Sequence, residues 1–319
     1  MYNFYIPETI SSEAQEYLAF LNQETKSEPF PDPDDLEGWR TLYARNEAYF
    51  LELDADVIAE FEPDLTETLV GSVPVIEIKS LGWQENRKLV IFLHGGAYVM
   101  FSAKTSLVGS VPLADATGLR VISVDYSLAP FSRYPVAIDQ VLEVFKTLIA
   151  GEYNARDIAL CGDSAGGALA CGAALKLRDE GLPMPAAVVL WSPWSDISRI
   201  GDTYYTLAGQ DTLDYENQLR QAASAYAEIE EHLLPYVSPV YANYNGGFPP
   251  TLIQGGTKEI FLSNFIRHYQ ALDQAGNEVK LDLYEGMWHV FQALGVVDIP
   301  EVRLALNKTA EWLRLHLVY

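Results

Sequence analysis

Residues 158–167 read Ile-Ala-Leu-Cys-Gly-Asp-Ser-Ala-Gly-Gly, and they carry the strongest chemical signal in the chain. Ile158 to Cys161 form an apolar run that predicts a buried strand. Gly162-Asp163-Ser164-Ala165-Gly166-Gly167 follows without a spacer. Ala168 to Arg178 is then rich in good helix formers, with Cys171 and Gly172 as small breaks. Strand, sharp turn and helix with serine at the apex is the nucleophile elbow G-x-S-x-G. Glycine is needed at 162 and 166 because the flanks of such a turn pack too closely for side chains. The apex projects the Ser164 hydroxyl, and the new helix aims its free N–H groups at the same point. The competing reading is a glycine-rich turn with an ordinary capping serine.

A serine hydroxyl is a weak nucleophile at neutral pH. It needs a base, a group to orient the base, and donors for the oxyanion that forms. Five histidines are available. His232, His268 and His316 fall in helical patterns, and His94 opens a glycine loop. His289 follows a strand, in Glu285-Gly286-Met287-Trp288-His289-Val290-Phe291, where a loop can reach the elbow. In the chain order of this elbow class the acid lies between serine and histidine. After the strand Thr251 to Gln254 only Glu259 and Asp273 qualify before Asn277. Asp273 is late in a helix, so Glu259 is the candidate; a surface pair with Lys258 or an acidic helix start is its alternative. The amide of Ala165 supplies one oxyanion donor. His94-Gly95-Gly96-Ala97, directly after an apolar strand, is placed to supply a second, and its glycines allow close backbone approach to a substrate.

These groups need a frame. Strand patterns at Leu69 to Ile78, Lys88 to Leu93, Arg120 to Val124, Ile158 to Cys161, Ala186 to Trp191, Thr251 to Gln254 and Val279 to Tyr284 alternate with helical ones. The helical stretches are 104–117, 136–150, 168–178, 260–275 and 301–317. That rhythm predicts an α/β protein with a mostly parallel sheet and helices on both faces. Residues 1–65 show no strand alternation. They read as a helical arm, with a capping box at Ser12 to Gln15 and a second helix capped by Asp34 or Asp35. Residues 195–245 interrupt the rhythm and are helical where periodic, at Glu216 to Glu231. The expected organisation is an arm at 1–65, core at 66–194, an insertion at 195–245 and core at 246–319. Both extras are expected over the carboxyl ends of the strands, where such sheets bind ligands.

Composition narrows the partners. The formal net charge is −23, and residues 1–68 alone hold 17 Asp/Glu against three Lys/Arg. Such a surface disfavours nucleic acid and anionic membranes. No apolar run approaches the roughly 18 residues of a membrane span, and residues 1–12 lack the pattern of a signal peptide. Cys161 and Cys171 read as buried small hydrophobes. No ligand spacing suggests a metal, and no cofactor is implied. A cytoplasmic enzyme is the simplest fit; oligomeric state is not legible.

Taken in order, five segments resemble the hormone-sensitive-lipase group of α/β-hydrolases, the bacterial-type carboxylesterases. They are His94-Gly95-Gly96-Ala97-Tyr98, Asp125-Tyr126-Ser127-Leu128-Ala129-Pro130, Gly162 to Gly167, Ser192-Pro193-Trp194-Ser195-Asp196 and Gly286 to Phe291. The resemblance implies an α/β-hydrolase fold with a helical cap made from the arm and the insertion. It also implies a Ser164–Glu259–His289 triad, and oxyanion amides from Gly95 or Gly96, Ala97 and Ala165. It implies a small-molecule ester as substrate, cleaved through an acyl-enzyme, with a short acyl group. An amidase or a lactone or acetyl-group hydrolase would share the triad, and a small-molecule receptor would share the fold without the working histidine. Four positions depart from the group: Ala97 stands for a third glycine, Glu259 for the commoner aspartate, and Ser127 and Phe131 replace charged residues. Asp125 and Asp196 read as structural. Tyr98, Phe101, Trp194, Tyr204, Tyr205 and Trp288 are candidates to line an acyl or alcohol pocket, with plain packing as the alternative for each.

Overall fold

The strand runs assemble into one eight-stranded sheet in the computed structural model, which describes residues 1–24, 28–151, 153–295 and 297–317. The strands are β1 (Asp64–Val70), β2 (Val73–Lys79), β3 (Leu89–Leu93), β4 (Arg120–Val124), β5 (Ile158–Asp163), β6 (Ala187–Trp191), β7 (Thr251–Gly256) and β8 (Val279–Tyr284). Their spatial order is β1-β2-β4-β3-β5-β6-β7-β8. Only the pairings of β2 with β1 and β4 are antiparallel. From β4 to β8 every pairing is parallel, so the carboxyl ends of β3, β5, β6, β7 and β8 point the same way.

The central strands β3 and β6 are apolar throughout, and β5 is apolar up to Cys161, because both faces are covered. One face packs Ile91, Leu93, Leu160 and Leu190 against α4 (Val136–Ala150), α5 (Ala165–Asp179) and α8 (Leu262–Gln274). The other packs Val90, Phe92, Cys161 and Val189 against α3 (Leu107–Thr117) and α9 (Pro300–His316). Cys161 and Cys171 are free and buried, on opposite faces of the sheet. Among the described residues no helix is long and apolar enough to cross a membrane.

The arm contains α1 (Ser12–Leu21) and α2 (Leu36–Phe61). Asp35 caps α2, its side chain accepting the Gly38 amide. At α1 the cap is Ser11, which accepts the Ala14 amide, and not the expected Ser12; Gln15 reaches back to the Ile10 carbonyl instead. Ser11 is selected because its own amide and hydroxyl donate to Glu301 on α9, at 2.8 and 2.7 Å.

Two elements depart from their sequence patterns. β1 begins at Asp64, inside a stretch that lacks apolar alternation. It is an edge strand whose side chains face mostly solvent, so no core selects a period-two pattern. In the insertion, helix α6 spans Thr203–Thr206, a π turn covers Tyr215–Leu219, and α7 runs only over Arg220–Tyr226. The helical pattern to Glu231 is cut at Ala227, which turns extended. Glu228 and Glu231 then cap a separate short turn.

Candidate active site

The elbow forms where β5 meets α5. Ser164 sits at φ +53°, a left-handed conformation that is uncommon for serine. The flanking glycines are sterically required. A Cβ on Gly162 would stand 2.3 Å from the Gly166 carbonyl oxygen, and one on Gly166 would stand 1.9 Å from that of Leu93. The Ser164 amide donates to the Trp191 carbonyl, and the Trp194 amide donates to the Ser164 carbonyl, both at 2.8 Å. The strained apex is thus held from β6.

Four strand ends converge on its hydroxyl. His289, in the loop after β8, places Nε2 3.0 Å from Ser164 Oγ. Its Nδ1 lies 2.7 Å from Glu259 Oε2. The other carboxylate oxygen accepts the Gly256 amide at 2.6 Å and the Ser192 hydroxyl at 2.8 Å. Ser192, at the end of β6, also accepts the Val290 amide at 3.1 Å. That bond commits its one proton to Glu259 and ties the histidine loop to the acid. Sequence reading gave Ser192 no role, although it opens one of the five family-like segments. Its signal was placement alone, directly after an apolar strand.

Burial pushes the His289 imidazole below its ordinary range, while the carboxylates of Asp211 and Asp163 act the other way. The ring is therefore neutral at neutral pH and able to accept a proton. Burial pushes the Glu259 carboxyl up, opposed by the Gly256 amide and the Ser192 hydroxyl. The remaining histidines lie elsewhere. His94 stacks on Tyr126 at 4.2 Å, and burial lowers it to about 4. His268 is buried on α8, and His232 is buried in the insertion.

The glycine loop after β3 faces the same point. Its backbone runs through left-handed angles at Gly96, Ala97 and Tyr98, with φ +93°, +53° and +65°. Ala97 thus keeps the conformation that suits glycine and bears the strain. The amides of Gly96 and Ala97 have no acceptor among the described residues. Ala165, as the first residue of α5, also has a free helix amide. Gly95 is different. Its amide donates to Asp163 Oδ1 at 3.1 Å, so it is removed from the oxyanion candidates. Burial raises the Asp163 carboxyl to about 7.

The aromatic candidates divide. Tyr98 stacks face to face on Tyr226 of α7, with centroids 3.7 Å apart. Phe101 meets Phe50 of α2 edge-on at 4.5 Å. Trp194 and Tyr204 are fully packed; the Trp194 indole donates to the Tyr204 hydroxyl at 3.1 Å, and that hydroxyl donates to the Asp196 carbonyl at 2.7 Å. Tyr205 is 60% exposed and lies beneath the Arg199 guanidinium. Trp288 stacks on Tyr17 of the arm at 4.5 Å and belongs to the core layer of α3 and α9. Tyr205, Trp194 and Trp288 are therefore surface or packing residues. Asp196 accepts from Arg267, Tyr241 and Ser198, which fits a structural role.

Comparison with known proteins agrees with this frame. Residues 90–293 match the model of a family described as having the alpha/beta hydrolase fold. The chain is 34% identical to an esterase of Acinetobacter venetianus over 226 residues, 70% of this chain and 74% of that protein. It is 32% identical to an acetyl-hydrolase of Streptomyces hygroscopicus over 231 residues, 72% of this chain and 77% of that one. A crystal structure of an esterase from the bacterial hormone-sensitive lipase family superposes with a TM-score of 0.81 at 29% identity. That match covers 97% of this chain and 99% of the other.

Proposed function

The chain belongs to the α/β-hydrolase fold family, in its hormone-sensitive-lipase group, and from that premise we propose how it acts as a carboxylesterase. Ser164 attacks an ester carbonyl while His289 Nε2 takes its proton. Glu259 holds the imidazole by Nδ1 and stabilises the imidazolium. The amides of Gly96, Ala97 and Ala165 receive the oxyanion. The alcohol departs with the proton from His289, leaving an acyl-enzyme, and water releases the acid by the same steps. The observation that carries this reading is the unbroken chain from Ser164 Oγ to His289 to Glu259, at 3.0 and 2.7 Å.

The arm and the insertion act as a cap over this end of the sheet, and the substrate is a small ester with a short acyl group. Ser164 is only 7% exposed, and the stacked Tyr98–Tyr226 pair follows the oxyanion loop directly. A relative named acetyl-hydrolase points the same way. The free, buried thiols Cys161 and Cys171 fit a reducing compartment such as the cytoplasm.

Ser164→Ala should reduce hydrolysis of p-nitrophenyl acetate by about four orders of magnitude or more, as loss of a triad nucleophile does. Wild-type kcat/KM should fall steadily from acetate to octanoate esters. Residual activity of Ser164→Ala near that of wild type would overturn the mechanism, and a flat chain-length profile would overturn the confined pocket.

A further inference from the structure

The insertion reaches the triad through one buried carboxylate. Asp211, in the loop after α6, is 2% exposed. Its Oδ2 accepts the amide of Ile260, the residue next to Glu259, at 2.7 Å. Its Oδ1 accepts the Leu213 amide at 3.2 Å and the Thr212 hydroxyl at 3.3 Å. Asp211 and Ile260 also border a cavity of about 150 Å³, which Arg199 and Tyr204 help to line. Arg199 is engaged by Glu216. Among the described residues no Lys or Arg forms an ion pair with Asp211. Electrostatically Asp211 is coupled to His289, which holds its carboxyl down, and to Glu259, which pushes it up.

We propose that Asp211 is a positioning residue of the triad: it fixes the turn carrying Glu259 through the Ile260 amide, and its negative charge supports the imidazolium of His289. The proposal rests on the triad reading above. His289 is faced by Glu259 from the turn after β7, by Asp163 from the end of β5 and by Asp211 from the insertion; the Phe261 ring meets it edge-on at 5.1 Å. Glu259 is committed to orienting the ring, and Asp163 accepts the Gly95 amide. Asp211 is the contribution that comes from the cap, so cap seating and basicity at the active site are physically linked. An anion near an imidazole favours its protonated form, the form the base passes through in each half-reaction. Burial raises the Asp211 carboxyl to about 6, so the group is charged at pH 8, where the kinetics are read.

Two variants separate position from charge. Asp211→Asn keeps an oxygen for the Ile260 amide and loses the charge. Asp211→Ala loses both. Titration of the His289 ring followed by NMR should show a midpoint lower in Asp211→Asn than in wild type by about half a pH unit or more. With p-nitrophenyl acetate at pH 8, kcat should fall about fivefold in Asp211→Asn and about fiftyfold in Asp211→Ala, with KM within about twofold. An unchanged midpoint in folded Asp211→Asn would overturn the electrostatic role. A kcat within twofold of wild type in Asp211→Ala would overturn the positioning role. If wild type hydrolyses no ester, the esterase reading fails, while the ring titration still decides whether Asp211 acts on His289.

Discussion

Ser192 shows how much of this site depends on a residue outside the proposed triad. Its hydroxyl donates to Glu259 and accepts from Val290, so one oxygen fixes the acid and the histidine loop together. Removing it leaves the Val290 amide without its acceptor and Glu259 with one donor fewer. A buried group left unpaired costs about 1–3 kcal/mol, equivalent to about fivefold to 150-fold in rate if it falls on the transition state. Ser192→Ala should therefore lower kcat by at least about fivefold with KM little changed. A steady-state comparison on p-nitrophenyl acetate checks this, and an equal loss in thermal stability without loss of kcat would refute it. The three residues of the proposed triad were legible as candidates because each stands in a rare context: an elbow, a histidine after a strand, a carboxylate between them. Ser192 and Asp211 were not, since serine at a strand end and aspartate in a loop are common and their partners lie 67 and 49 residues away.

At the scale of elements, α8 is joined to its neighbours through a histidine that does no chemistry. His268 Nδ1 lies 2.9 Å from Ser195 Oγ after β6. Its Nε2 lies 2.8 Å from the Tyr244 hydroxyl in the insertion and 3.4 Å from Cys171 Sγ on α5. Complete burial lowers its pKa from 6.5 to about 3. The unfolded chain thus takes up a proton below pH 6.5 that the fold refuses until about pH 3. The resulting stability is fully present above pH 6.5 and is lost as pH falls. At pH 5 the loss is about 2 kcal/mol, from 1.5 pH units at 1.36 kcal/mol each. Asp54 and Asp163, both raised to about 7, act in the opposite sense, so the effect must be read as a difference. His268→Gln should be less stable than wild type at pH 7.5, with the gap narrowing by about 2 kcal/mol at pH 5 in urea unfolding. A gap that stays constant would show that His268 is partly charged in the fold. The helix itself was legible from its period, and so were the central strands. The edge strand β1 and the break after α7 were not, because solvent and local capping decide them.

Across the whole molecule, the first residues of the chain bind the loops that carry the acid and the base. The Tyr2 hydroxyl donates to the Thr212 carbonyl beside Asp211 at 3.1 Å, and Lys258 Nζ donates to the Tyr5 carbonyl at 2.5 Å. Pro7 and Ile10 pack against Gly286, at the start of the histidine loop, and Tyr17 stacks on Trp288. Sequence reading recognised a helical arm, its acidity and a place over the carboxyl ends of the strands, yet not which loops it contacts. Contacts spanning more than 200 residues leave no periodic trace, and an acidic surface says only what it repels. The arm thus straps the loops that carry Glu259 and His289. Burial of Phe4 and Ile10 contributes roughly 3–6 kcal/mol. Deleting residues 1–10 should lower the melting temperature and also cut kcat at least about tenfold at a temperature where the variant is fully folded by circular dichroism. The two effects separate cleanly. A covering role alone would shift melting and leave kcat intact, because the triad would close once folded. A strap predicts slow turnover in the folded state, with KM nearly unchanged, because His289 and Glu259 would then sample geometries in which Ser164 has no base.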